Sequence, residues 1–90
     1  MATCRIVHTS ATPEQYDAIL EKVSASGAST ASRKLHVAAV GEDGKIQVVE
    51  VWDSRSDSEA FGEAVRAARE ELSIGEPASM SLLEVHNQIG

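Results

Sequence analysis

Few side chains in this 90-residue chain can do chemistry: three histidines (His8, His36, His86), a lone Cys4, one Trp52, one Tyr16 and a scatter of carboxylates. Among the carboxylates Glu50 stands apart, because it interrupts the apolar run Ile46-Gln47-Val48-Val49-Glu50-Val51-Trp52 and shares its parity with Ile46, Val48 and Trp52. If that face lines a pocket, desolvation raises its pKa and suits it to general acid or base work; its structural alternative is a place at a subunit seam or a pairing with Arg5 or Arg33. His8 ends the first apolar run and could move a proton or hydrogen-bond a ligand. Trp52 could stack on a ligand or plug the core. Tyr16 could offer its hydroxyl to a cavity, and His86 alternates with Glu84 to make a polar patch.

Other chemistries find no support. Cys4 has no sequence-adjacent base and no partner for a disulfide, and the Cys and His spacing matches no zinc site. Gly41-Glu42-Asp43-Gly44 reads as a hairpin turn whose carboxylates would repel phosphate, so no nucleotide cofactor is expected; the histidines, expected at opposite ends of the sheet, make no converging ligand set, so no metal is expected either.

The elements that must position these groups follow from periodicity. Thr3 to His8 has strand composition. Thr12, Pro13 and Gln15 form a capping box, and Tyr16, Ile19, Leu20 and Val23 then fall on one helical stripe. Gly27 can end this helix ahead of a small, polar connection. Lys34 to Val40 and Lys45 to Trp52 read as a hairpin about Asp43-Gly44. A second capping box, Ser56 to Glu59, is expected to open a helix with Phe61, Ala64, Val65, Ala68 and Leu72 inward, stopped by Gly75 and Pro77. A last strand runs from Met80 to His86. The order is β-α-β-β-α-β, an α+β domain of ferredoxin-like type spanning 1–90.

Taking strands one and three as parallel neighbours at the sheet centre puts His8, Trp52, Arg33 and Leu35 at one end and His86 at the other. A two-residue turn at Asp43-Gly44 sets Leu35 opposite Trp52, Val37 opposite Glu50, and His36 opposite Val51 on the reverse face. Both faces then carry apolar side chains, and two helices cover only one. The second face would expose a patch of about several hundred Å2, which a two-fold homodimer would bury.

Composition narrows the partners. A net charge of −6 without a basic run argues against nucleic acid. No stretch approaches the roughly 18 apolar residues of a membrane span and no signal-peptide pattern opens the chain, so a cytoplasmic location is expected.

The passage Val49-Glu50-Val51-Trp52-Asp53-Ser54 leading to Glu59-Ala60-Phe61, with Thr12-Pro13-Glu14-Gln15-Tyr16 and Val85-His86-Asn87, resembles small actinobacterial members of the antibiotic biosynthesis monooxygenase-like, dimeric α/β-barrel proteins. The resemblance implies a ligand cavity between sheet and helices and an enzyme that needs no cofactor. Its substrate would be an apolar, aromatic or polyketide-like molecule, oxidised or, in the alternative, cyclised or isomerised; a non-catalytic dimeric ligand-binding module is the third reading. Haem degradation is disfavoured, because the positions of that branch's Trp and His hold Ala64 and Ile74. Glu50 and His8 are the expected catalytic residues, with Trp52, Leu35, Tyr16 and His86 about the substrate.

Overall fold

The computed structural model describes residues 2–90, so Met1 of the expected domain lies outside the described residues. Six elements follow in the expected order: β1 (Thr3–His8), α1 (Pro13–Ala25), β2 (Arg33–Val40), β3 (Ile46–Trp52), α2 (Arg55–Glu71) and β4 (Ser79–Glu84). They make one four-stranded sheet ordered β2-β3-β1-β4, with both helices on one face.

Every neighbouring pair of strands is antiparallel, which corrects the expectation that β1 and β3 run parallel. The reason is topological. The crossover through α1 makes β2 parallel to β1, the hairpin reverses β3 against β2, and β3 then inserts beside β1 in the opposite direction. Thr3 therefore pairs with Trp52 and His8 with Gln47, so His8 lies at the opposite end of the sheet from Trp52. Glu84 also pairs with Thr3, which carries His86 beyond the Trp52 end.

The β2–β3 register corrects a second expectation. Gly41 and Lys45 close the loop through a backbone bond of 2.8 Å, the Gly44 amide donates to the Gly41 carbonyl, and Gly44 adopts φ +80°. This is a three-residue turn ending in a left-handed glycine, in place of the expected two-residue turn. One extra residue moves every β2 side chain to the other face of the sheet. His36 now opposes Glu50, while Leu35 and Val37 oppose Val51 and Val49. A bulge between Arg33 and Leu35 reverses the parity once more, so that Arg33 returns to the helix-covered side opposite Trp52.

Both helices begin as their capping chemistry dictates. Thr12 and Gln15 form the reciprocal box of α1. The cap of α2 is Ser54, whose hydroxyl accepts the Asp57 amide, two residues ahead of the expected Ser56. That helix ends at Glu71, and Ser73 takes φ 57° before Gly75 and Pro77 are reached. Ile19 and Val23 of α1 meet Phe61 and Ala68 of α2 over Trp52, with Ala11 and Ile74 closing the layer. Tyr16 packs against this cluster and against a second one of Val7, Ile46 and Val48.

No helix among the described residues is long and apolar enough to cross a membrane. The reverse face of the sheet is uncovered in the single chain, and Leu35, Val37 and Leu83 stand 38, 46 and 51% exposed there. An alanine methyl at Gly44 would have to enter the left-handed region. Gly44→Ala is therefore expected to lose about 1–2 kcal/mol in urea unfolding, whereas Gly75→Ala, with open space around its Cα and no positive φ, stays near wild type.

Candidate active site

The register and the bulge converge on one carboxylate. Glu50 is 3% exposed and accepts from three donors: His36 Nδ1 at 2.6 Å and Arg33 Nη1 at 3.3 Å on Oε2, and the Trp52 indole N–H at 3.2 Å on Oε1. Arg33 also lies over the Trp52 and Phe61 rings, at 5.7 and 5.2 Å from their centroids, which holds its guanidinium in place. On the far side of the imidazole, His36 Nε2 lies 2.5 Å from the Tyr16 hydroxyl, with the two rings roughly parallel. A carboxylate, an imidazole and a phenol thus form one chain from β3 through β2 to α1.

Burial pushes the Glu50 carboxyl up, but the hydrogen bonds from His36 and Trp52 and the charges of His36 and Arg33 outweigh it and hold the group below the usual glutamate value. That corrects the expectation of a raised pKa. An ionised carboxylate only accepts, so His36 Nδ1 carries a hydrogen; in the neutral ring Nε2 then accepts from the Tyr16 O–H. Burial, and next the Glu50 charge, push the Tyr16 hydroxyl up, opposed by Arg33, so the resting phenol is protonated.

The chain ends in a cavity of about 100 Å3 between sheet and helices. Val7, Ile19, Val48, Phe61 and Val65 supply an apolar wall, while Tyr16, His36 and Glu50, the hydroxyls of Thr9 and Ser10, and Arg5, Arg66 and Arg69 supply the polar groups. With the ring neutral, Tyr16 spends its one hydrogen on His36 and keeps its lone pairs for whatever occupies the space. It can take a proton from a ligand while its own passes to Nε2, with the resulting imidazolium facing the Glu50 carboxylate.

Of the expected site residues, Glu50 and Tyr16 meet here. Trp52 is fully buried and off the cavity wall, so its ring plugs the core and its N–H serves Glu50; stacking on a ligand is closed to it. Leu35 lies on the reverse face because of the turn. His8 is exposed at the far end and shares the reverse face with Cys4 and Ile6, and His86 is exposed beyond β4; neither lines the cavity. His36 is the group that sequence reasoning missed. Its signal was the chance that a three-residue turn would set it opposite Glu50. Among the described residues no three His, Cys, Asp or Glu side chains cluster to hold a metal ion.

No protein-family model and no curated protein matches the sequence. Solved structures do. A proposed antibiotic biosynthesis monooxygenase from Chloroflexus aurantiacus aligns over 100% of this chain and 98% of its own at 24% identity and a TM-score of 0.68. Rv0793 from Mycobacterium tuberculosis aligns over 100% of both chains at 12% identity and TM-score 0.69. SnoaB from Streptomyces nogalater, a cofactor-independent oxygenase, aligns over 98% of this chain and 94% of its own at 12% identity and TM-score 0.56. The chain has the ferredoxin-like fold of the antibiotic biosynthesis monooxygenase-like proteins.

Because the folded-state pKa of Glu50 is lowered, its contribution to stability is present above the unfolded glutamate value of 4.5 and disappears as pH falls through the lower folded value. Between those two values the unfolded chain binds more protons, so stability rises with pH. Urea unfolding at a series of pH values should show this acid limb in wild type and a shallower one in Glu50→Gln.

Proposed function

We propose that the cavity is the active site of a cofactor-independent enzyme that removes a proton from a small carbon acid. Tyr16 is the group that touches the substrate, His36 receives the phenolic proton, and Glu50 fixes the imidazole tautomer and balances its charge. The observation that carries this reading is the Glu50–His36–Tyr16 chain ending in an apolar cavity. Because burial disfavours the phenolate, the transfers to and from the Tyr16 oxygen are coupled, and no free phenolate accumulates.

The carbanion left behind has two fates. With O2 it forms a hydroperoxide whose loss of water leaves a carbonyl, so that a CH2 group and O2 yield C=O and H2O with the electrons drawn from the substrate. The likeness to SnoaB, described as a cofactor-independent oxygenase, favours this branch. Without O2, reprotonation or attack on a second carbonyl gives isomerisation or cyclisation. The cavity, about 100 Å3, is smaller than the roughly 150 Å3 that accommodates benzene. A substrate of a few heavy atoms fits it as it stands; a polycyclic one requires the walls to part.

Proton NMR in D2O on acetoacetamide, a neutral carbon acid, tests the proposal. The protein should speed exchange at the central carbon above the solvent rate, and Tyr16→Phe and His36→Gln should each lower that acceleration by about a hundredfold or more with the fold intact by circular dichroism. Exchange at the solvent rate in wild type, or undiminished exchange in both variants, would sink the enzyme reading; saturable binding without exchange would leave a ligand-binding module. Oxygen uptake separates the oxygenase from the isomerase.

We also propose that the uncovered sheet face meets the same face of a second copy, closing a dimeric α/β barrel. Leu35, Val37 and Leu83, with the half-buried Ile6, Val49 and Val85, form one apolar surface there. At roughly 25 cal/mol per Å2 of apolar area, burying it contributes several kcal/mol to association. Sedimentation equilibrium should give twice the chain mass, and Val37→Asp with Leu83→Asp should give the monomer. A wild-type monomer would refute the pairing.

A further inference from the structure

The cavity that holds the proton-handling groups is also lined by a cation of the sheet, Arg5. Arg5 pairs with Glu50 across the β1–β3 ladder and so projects to the same, helix-covered face, yet no carboxylate lies within salt-bridge distance of its guanidinium among the described residues. Its one protein hydrogen bond runs from Nη1 to the Ser58 carbonyl at 3.2 Å. Of the neighbouring cations, Arg33 and Arg66 have carboxylate partners and Arg69, which has none among the described residues, is set apart from Arg5 by position: only Arg5 stands on the sheet directly across the ladder from Glu50. Arg33 is held by Glu50, Arg66 lies beside Glu63 and Glu70, and Arg69 donates to the Ile74 carbonyl.

Two of the three carboxylates of the adjoining groove are held by other arginines, and the third, Glu76, makes no ion pair with Arg5. Glu59, Glu63 and Glu76 line the outer groove with Arg5; Glu59 is held by Arg55 at 3.1 Å and Glu63 by Arg66 at 3.4 Å, and none reaches Arg5. Arg5 lines both this groove and the inner cavity, so its remaining donors face the route a ligand would take.

Helix α2 makes room for that guanidinium at one position. A Cβ on Gly62 would fall 2.4 Å from Arg5 Nη1 and 2.9 Å from Nη2, closer than atoms can approach. A helix-interior glycine costs about 1 kcal/mol relative to alanine, and here it admits an arginine fork to the cavity wall.

We infer that Arg5 is an anion-binding residue of this cavity and that the ligand is a small carboxylate whose acidic carbon is presented to Tyr16. This rests on the reading of the cavity as a proton-transfer site. The planar guanidinium matches a carboxylate through two parallel N–H bonds, and its charge also stabilises the enolate formed when the neighbouring carbon loses its proton. Arg5 and the Tyr16–His36 pair line one cavity, and a β-keto acid, whose charged group flanks the reacting carbon, is the simplest ligand that offers a group to each.

NMR titration with acetoacetate and acetoacetamide, which differ in charge and little in shape, tests the assignment. Wild type should bind acetoacetate about tenfold more tightly or better, equivalent to about 1.4 kcal/mol, with the preference shrinking as salt is added. Arg5→Met should equalise the two ligands. Gly62→Ala, which forces the guanidinium aside without touching the relay, should reduce the preference and serves as the deciding variant if Arg5→Met fails to fold. Equal affinities in wild type, no saturable binding of acetoacetate, or a preference undiminished in the variants overturns the inference. Exchange of acetoacetamide without any carboxylate preference removes the Arg5 assignment alone, and a preference without exchange removes the proton-transfer reading alone.

Discussion

A single buried anion constrains most of this structure. Taking a carboxylate such as Glu50 out of water costs several kcal/mol unless hydrogen bonds and opposite charge replace the solvent. Here the replacements come from the bulged start of β2, from the middle of β2 and from the end of β3 itself. The register of the hairpin, the bulge at Lys34 and the orientation of the Trp52 core plug are therefore conditions that the same carboxylate imposes. Helix α1 joins them, since Tyr16 reaches His36 from its first turn.

The satisfied carboxylate shapes the chemistry. Held ionised by its donors, Glu50 is a poor proton carrier at neutral pH, and in the proposed mechanism that work passes outward to the imidazole and the phenol. Fixed charge stays deep beside Trp52, while the exchangeable hydrogen sits at the cavity edge among apolar side chains, where electrostatic effects are less screened than in bulk water. Arg5, across the β1–β3 ladder, lines the same cavity and has no carboxylate partner among the described residues.

Much of the fold was legible because it is written in periodicity. The helical stripes of α1 and α2, the capping box at Thr12, the extent of β1, and the two apolar sheet faces follow from spacing alone. The site was less legible because it depends on parity. Asp43-Gly44 is a favoured two-residue turn, and the chain instead uses Gly44 as the left-handed end of a three-residue one, which exchanges Leu35 for His36 at the site. The bulge that brings in Arg33 has no mark in the sequence at all. His8 and His86 were misplaced by a different error, the parallel alignment of β1 with β3. Glu50 survived both, since its neighbours on its own strand fix its face.

A purely stabilising role for the Glu50 network is the competing account, and energetics weigh against it. Replacing a buried ion pair by well-packed apolar residues is often neutral or stabilising, so a core seeking stability alone gains nothing by enclosing Glu50, His36 and Arg33 together. The network also extends beyond what neutralising the carboxylate requires. Arg33 and the Trp52 indole already serve it from two sides, and His36 adds a third donor whose far nitrogen leads to a hydroxyl at the cavity wall. Neutralisation explains Arg33; it does not explain a titratable ring passing the contact on to a phenol. A chain that delivers a proton acceptor from a charged interior to an apolar space is what proton transfer demands.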